Sequence, residues 1–103
     1  MSLTIEYNGI KVLKPSGRVG VTHFGLMTQY LKIIKEYHDT GRDTEDLLFD
    51  ERVIDIFEKW VEKVLPKIVV GDTDPDKIPF DTLWVLFNKV MNSVEVPDEE
   101  SFR

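Results

Sequence analysis

Cysteine is absent from the 103 residues, so neither a disulfide nor a thiolate metal site can form. Long apolar runs are missing as well. None approaches the roughly 18–20 residues of a membrane span, and the N-terminus lacks the basic-then-apolar pattern of a signal peptide. A soluble, cytoplasmic chain with no membrane partner is expected. Bases are scarce: 13 Lys and Arg face 19 Asp and Glu, for a net charge of −6. Backbone phosphates are bound by clustered Lys and Arg, so no nucleic-acid partner is expected. Histidine occurs only at His23 and His38, outside any H-E-x-x-H context. Gly17, Gly20 and Gly25 lack both the Gly-Lys-Ser/Thr ending and the G-x-G-x-x-G spacing of phosphate loops. No serine stands in a nucleophile elbow. Asp72-x-Asp74-x-Asp76 opens like a calcium loop, but Lys77 replaces the required glycine and Leu83 the bidentate glutamate. The chain therefore reads as a non-enzyme with no catalytic residue, cofactor, metal or small-molecule substrate.

What is present is amphipathic helix. From Asp50 to Ile68, apolar residues fall at Val53, Ile54, Phe57, Trp60, Val61, Val64, Leu65 and Ile68, a stripe with the helical period. Asp50 is placed as N-cap, Phe49 and Ile54 as a hydrophobic staple, and Pro66 predicts a bend or end near Val64 or Leu65. About six large side chains at ~1.5–3 kcal/mol each give on the order of 10 kcal/mol of gross burial, so this stripe needs partners. A second helix follows Thr22, its expected cap, with a stripe at Phe24, Met27, Tyr30, Leu31, Ile34 and Tyr37, and Gly41 stops it in the left-handed conformation. A third begins after Phe80 and Asp81 and carries Leu83, Trp84, Phe87, Val90, Met91 and Val94, with Phe80 and Val85 as its staple.

Ahead of the helices, residues 2–14 alternate around Asn8-Gly9, the strongest short hairpin signal, which predicts strands near 3–7 and 10–14. Pro15-Ser16-Gly17 reads as a turn. The fold class is mainly α: a short N-terminal β-hairpin followed by a bundle of three main amphipathic helices. Residues 1–96 are expected to form one small domain, and 97–103 an acidic tail with an isolated Phe102.

Stripes this large exceed what so small a domain hides by itself, which points to self-association or capture of a partner helix. Trp60 and Trp84 suit either the core or a groove, since aromatics dominate interface energetics. Phe57, Trp60, Val64, Trp84, Phe87 and Met91 are the candidate partner-binding residues.

Three stretches resemble one family. The run Lys14-Pro15-Ser16-Gly17-Arg18-Val19-Gly20 before a helix is similar to the K-P-T-G-R-x-G start of the tail assembly chaperones of long-tailed phages. The block Trp60 to Val69 resembles their W-x-x-x-V-L-P-x-I segment, and Ile78 to Met91 their P-x-x-x-x-x-x-L-F-x-x-V-M helix. Order and spacing agree over most of the chain. The resemblance implies a homo-oligomeric chaperone, in the host cytoplasm if viral, that binds the helical tape-measure protein before the tail tube polymerises. The alternatives are a structural virion component, such as a head–tail connector or tail-completion protein assembled through the hairpin's open edge, and a small helical regulatory module.

Overall fold

A computed structural model of the chain describes residues 4–15 and 21–93. Strand β1 (Thr4–Tyr7) pairs antiparallel with β2 (Ile10–Leu13), placing Ile5 opposite Val12 and Tyr7 opposite Ile10. Asn8 (φ 52°) and Gly9 (φ 80°) are both left-handed, as a two-residue turn matching strand twist requires. Helix α1 (Val21–Thr40) follows, then a 3₁₀ segment Thr44–Phe49 and α2 (Glu51–Lys59). A π-helical turn, Trp60–Val64, leads directly into α3 (Leu65–Ile68). A short 3₁₀ turn Pro75–Lys77 precedes α4 (Phe80–Ser93). The architecture is mainly α, with three main helical pieces (α1, the continuous 51–68 rod and α4) and an N-terminal hairpin. Thr22 is not the cap expected of it, since α1 already includes Val21; the expected turn at 16–17, Val94, the acidic tail 97–103 and Phe102 lie outside what is described.

The hairpin is held from two sides. β1 packs against α4, and Asn8 in the turn donates its amide to the buried Thr82 hydroxyl at 3.2 Å. Beyond α3 the chain returns along β2: Val69 bridges Val12 antiparallel, and the Val70 amide donates to the Lys11 carbonyl at 2.9 Å. The β2 edge expected to be open is thus partly occupied by the chain itself.

From the sequence, Pro66 predicts a bend or end near Val64 or Leu65; the rod does not end there, and the regular α-helix is instead interrupted by the π turn Trp60–Val64 just ahead of it. A regular α-helix would need a Pro66 amide to reach the Glu62 carbonyl, and proline has none. Instead the turn widens, and the Leu65 amide bonds the Trp60 carbonyl five residues back. The widening also sets burial. On an unbroken helix Leu65 would stand about 120° around from Val53 at ~100° per residue; the π turn advances less per residue and brings it back to the core side. Val53, Trp60, Val64, Leu65 and Ile68 are all buried.

The stripes differ from expectation at their edges. Ile56 is buried and Ile54 partly exposed, because α2 lies against α1 on one side and meets α4 through Phe57 on the other. On α1, Leu26 and Ile33 join the core whereas Phe24 is 48% exposed. Phe49 is 80% exposed, so no staple with Ile54 covers it. α4 starts at Phe80, one residue before the expected cap, and Asp81 sits in its first turn where it favours the helix dipole. Gly41 does take the left-handed stop (φ 75°), with the Arg42 amide bonding the Tyr37 carbonyl at 2.9 Å.

Candidate functional site

The aromatic residues of α2, the π turn and α4 meet in one cluster. Phe57 stands edge-on to Phe80, Trp84 and Phe87, at centroid distances of 5.6, 5.4 and 5.2 Å. Trp60 packs on Phe87 at 5.5 Å, and Tyr30 of α1 meets Phe87 at 5.1 Å. Edge-to-face geometry of this kind adds roughly 0.5–1.5 kcal/mol per pair beyond burial. The cluster has an inner and an outer side. Phe57, Trp60, Val64, Phe87 and Met91 are packed in the chain's own core, so five of the six expected binding residues contribute to folding here. Trp84 is the sixth and is only half-buried; Phe80, stacked parallel to it at 6.5 Å, is 59% exposed.

Trp84 is fixed from beneath and from the side. Beneath it lie Phe57 and Phe87. Beside it, the Tyr30 hydroxyl donates to Asn88 Oδ1, and Asn88 Nδ2 donates to the Trp84 carbonyl at 2.9 Å. Burial pushes the Tyr30 hydroxyl up to about 12, so it remains a donor throughout the physiological range. The result is a rigid half-exposed ledge, Phe80–Trp84, continued along α4 by Asn88 and Asn92 at four-residue spacing.

A groove opens on each side of this row. One, of about 620 Å³, lies between α4 and β1 and is floored by Ile5, Trp84 and Val85, with Lys89 at its edge. The other, of about 380 Å³, lies between α4, α1 and the 3₁₀ segment, where Tyr30, Ile34, Leu47 and Leu48 face Trp84 and Asn88. The sequence stripes missed Phe80, Leu48 and the two asparagines. The available signal was the row 80–84–88–92, whose change from aromatic to amide marks the border of a buried face.

Chemistry-bearing groups are dispersed. His23 and His38 lie at opposite ends of α1, roughly 22 Å apart at ~1.5 Å rise per residue. His23 is buried, and neither ring nitrogen has a hydrogen-bond partner among the described residues; burial pushes its pKa below 6.5 and keeps it neutral. His38 is exposed, 3.6 Å from Asp39. Asp74 of the acidic loop caps the 3₁₀ turn by accepting from the Asp76 amide at 3.0 Å. Among the described residues no three His, Asp or Glu side chains are grouped to hold a metal ion, and no helix is long and apolar enough to cross a membrane.

The arrangement is an aromatic ledge between two grooves, each with room for a few side chains. No protein-family model matches the chain, and neither curated proteins nor solved structures include one similar to it.

Proposed function

We propose that this protein is a tail assembly chaperone of a long-tailed phage or prophage, a non-enzyme that holds helical segments of the tape-measure protein until the tail tube polymerises around them. The half-exposed Phe80–Trp84 ledge, with its groove on either side, is the observation that carries this reading. A helix laid across the ledge would set side chains one turn apart into the grooves, the helix-in-groove mode of recognition. Two of the blocks on which the resemblance rests lie next to the ledge. Trp60–Val69 covers the π turn, α3 and its C-cap, and Ile78–Met91 runs from the segment before α4 through most of that helix, which carries the ledge.

A chaperone must release its client. A few apolar side chains at ~1.5–3 kcal/mol each, set against the cost of association, give reversible binding and no permanent joint. The net charge of −6 keeps the complex soluble and away from DNA. Co-expression with the tape-measure protein of the same genome is the test. The client should become soluble and co-purify, and the chaperone should be missing from finished particles. Recovery in mature particles at fixed copy number would instead make the protein a virion component.

A further inference from the structure

The two grooves beside Trp84 differ in charge, and that difference names an occupant for one of them. The larger groove is edged by Lys89, whose ammonium lies 6.0 Å from the Tyr7 ring centroid, and no acidic side chain lines it. The smaller groove has the opposite rim. Glu45 lines it, Asp46 follows on the same 3₁₀ segment, and Asp43 caps that segment by accepting the Glu45 amide at 3.1 Å; all three are exposed. None of the three forms an ion pair among the described residues. Arg42, the adjacent base in sequence, is turned onto the Tyr37 ring, 5.4 Å from its centroid. Ile34, Leu48 and Trp84 supply apolar lining beside Glu45, with Thr44, Asn88 and Asn92 adding polar groups.

We infer that the groove between α1, the 3₁₀ segment and α4 takes an amphipathic helix whose apolar stripe is bordered by lysine or arginine. The inference rests on the helix-binding reading above and adds the charge of the client. Apolar residues one turn apart, about 6 Å along a helix, would enter over Trp84 and Leu48. A basic residue on the helix flank would then stand against Glu45, with the exposed Asp46 next to it in sequence adding to the negative field. The 380 Å³ of the groove admits a few side chains and no more, so charge on the flank contributes visibly to selection.

Two labelled helical peptides with one Leu/Phe stripe, flanked either by Lys or by Glu, test this by fluorescence anisotropy on the full chain. The Lys peptide should bind about tenfold tighter, the effect of turning two exposed charge contacts from attraction to repulsion. Added salt should narrow the difference. The double variant Glu45→Lys, Asp46→Lys alters exposed positions only and should reverse the preference, while Leu48→Glu should weaken both peptides. Equal binding of the two peptides, binding of neither, or indifference to the double variant would overturn the inference. So would sedimentation showing a dimer of the protein alone that the double variant dissociates, since a second copy would then fill the groove. Failure of the peptides alongside intact co-purification of the tape-measure protein removes only the groove assignment. Peptide discrimination without tape-measure binding removes only the chaperone reading.

Discussion

Asp50 caps α2 by accepting the Arg52 amide at 2.8 Å, receives the Tyr37 hydroxyl at 2.7 Å, and pairs with the Arg52 guanidinium, which also reaches Glu36 on α1. The Arg52 guanidinium is the foremost cause holding this carboxyl well below the usual carboxylate range, against opposing desolvation and with help from Tyr37 and the Arg52 amide. A depressed folded pKa contributes stability that is present above the unfolded value, about 3.9, and drains as pH falls toward the folded one. Asp50→Asn should therefore flatten the acid limb of the urea midpoint below about pH 4. Asp50→Ala should cost at least the ~1 kcal/mol of a lost cap. His23 acts at a higher pH. Burial has already stripped water from the ring and penalises its charged form, so stability is complete above its unfolded value of 6.5 and is lost as pH falls below it. His23→Leu should leave the midpoint nearly level below about pH 6.5, where the parent protein slopes. A slope unchanged by the substitution would assign it to another group.

The elements stand by burial more than by intrinsic propensity. The chain contains no alanine, and its helices are rich in Val, Ile, Phe, Trp and Tyr, which form isolated helices poorly. The hairpin depends on its turn. Gly9 at φ 80° has nothing within 4 Å of where a Cβ would sit, so Gly9→Ala would be penalised by the backbone alone. The expected cost is about 1 kcal/mol. Because Val70 donates to Lys11 on β2, faster hydrogen exchange at the Val70 amide is the readout of a loosened hairpin. In the 51–68 rod, the π turn reconciles a proline with continuous burial.

Over the whole molecule, the aromatic cluster divides into an interior that stabilises the fold and an edge that faces solvent. Phe87 is fully buried among Tyr30, Phe57, Trp60 and Trp84. Phe87→Ala should cost about 3–5 kcal/mol, a large part of the ~5–15 kcal/mol that holds a domain of this size. The two tryptophans should separate optically. Iodide should quench Trp84 and spare Trp60, so Trp84→Phe should abolish the quenchable emission of the free protein. If the proposed helix binding takes place, an added helix should shield Trp84 from iodide. Quenching that persists in Trp84→Phe would place the solvent-facing indole at Trp60.

Much of the architecture was legible from local chemistry. Asn8-Gly9 specified the hairpin, Gly41 the end of α1, Asp50 the start of α2, and the apolar period the existence of three helices, because these signals act within a few residues of themselves. The π turn was not legible: Pro66 announces a missing amide, but only packing of Val64, Leu65 and Ile68 against the core decides that the rod continues. The candidate surface was equally hidden. Composition and period made Trp60 and Trp84 equivalent, both large and both on helical stripes. Assembly sealed Trp60 beneath Phe57 and Phe87 and left Trp84 at the border, since a stripe shows which residues avoid water and only the neighbouring elements determine which of them are covered.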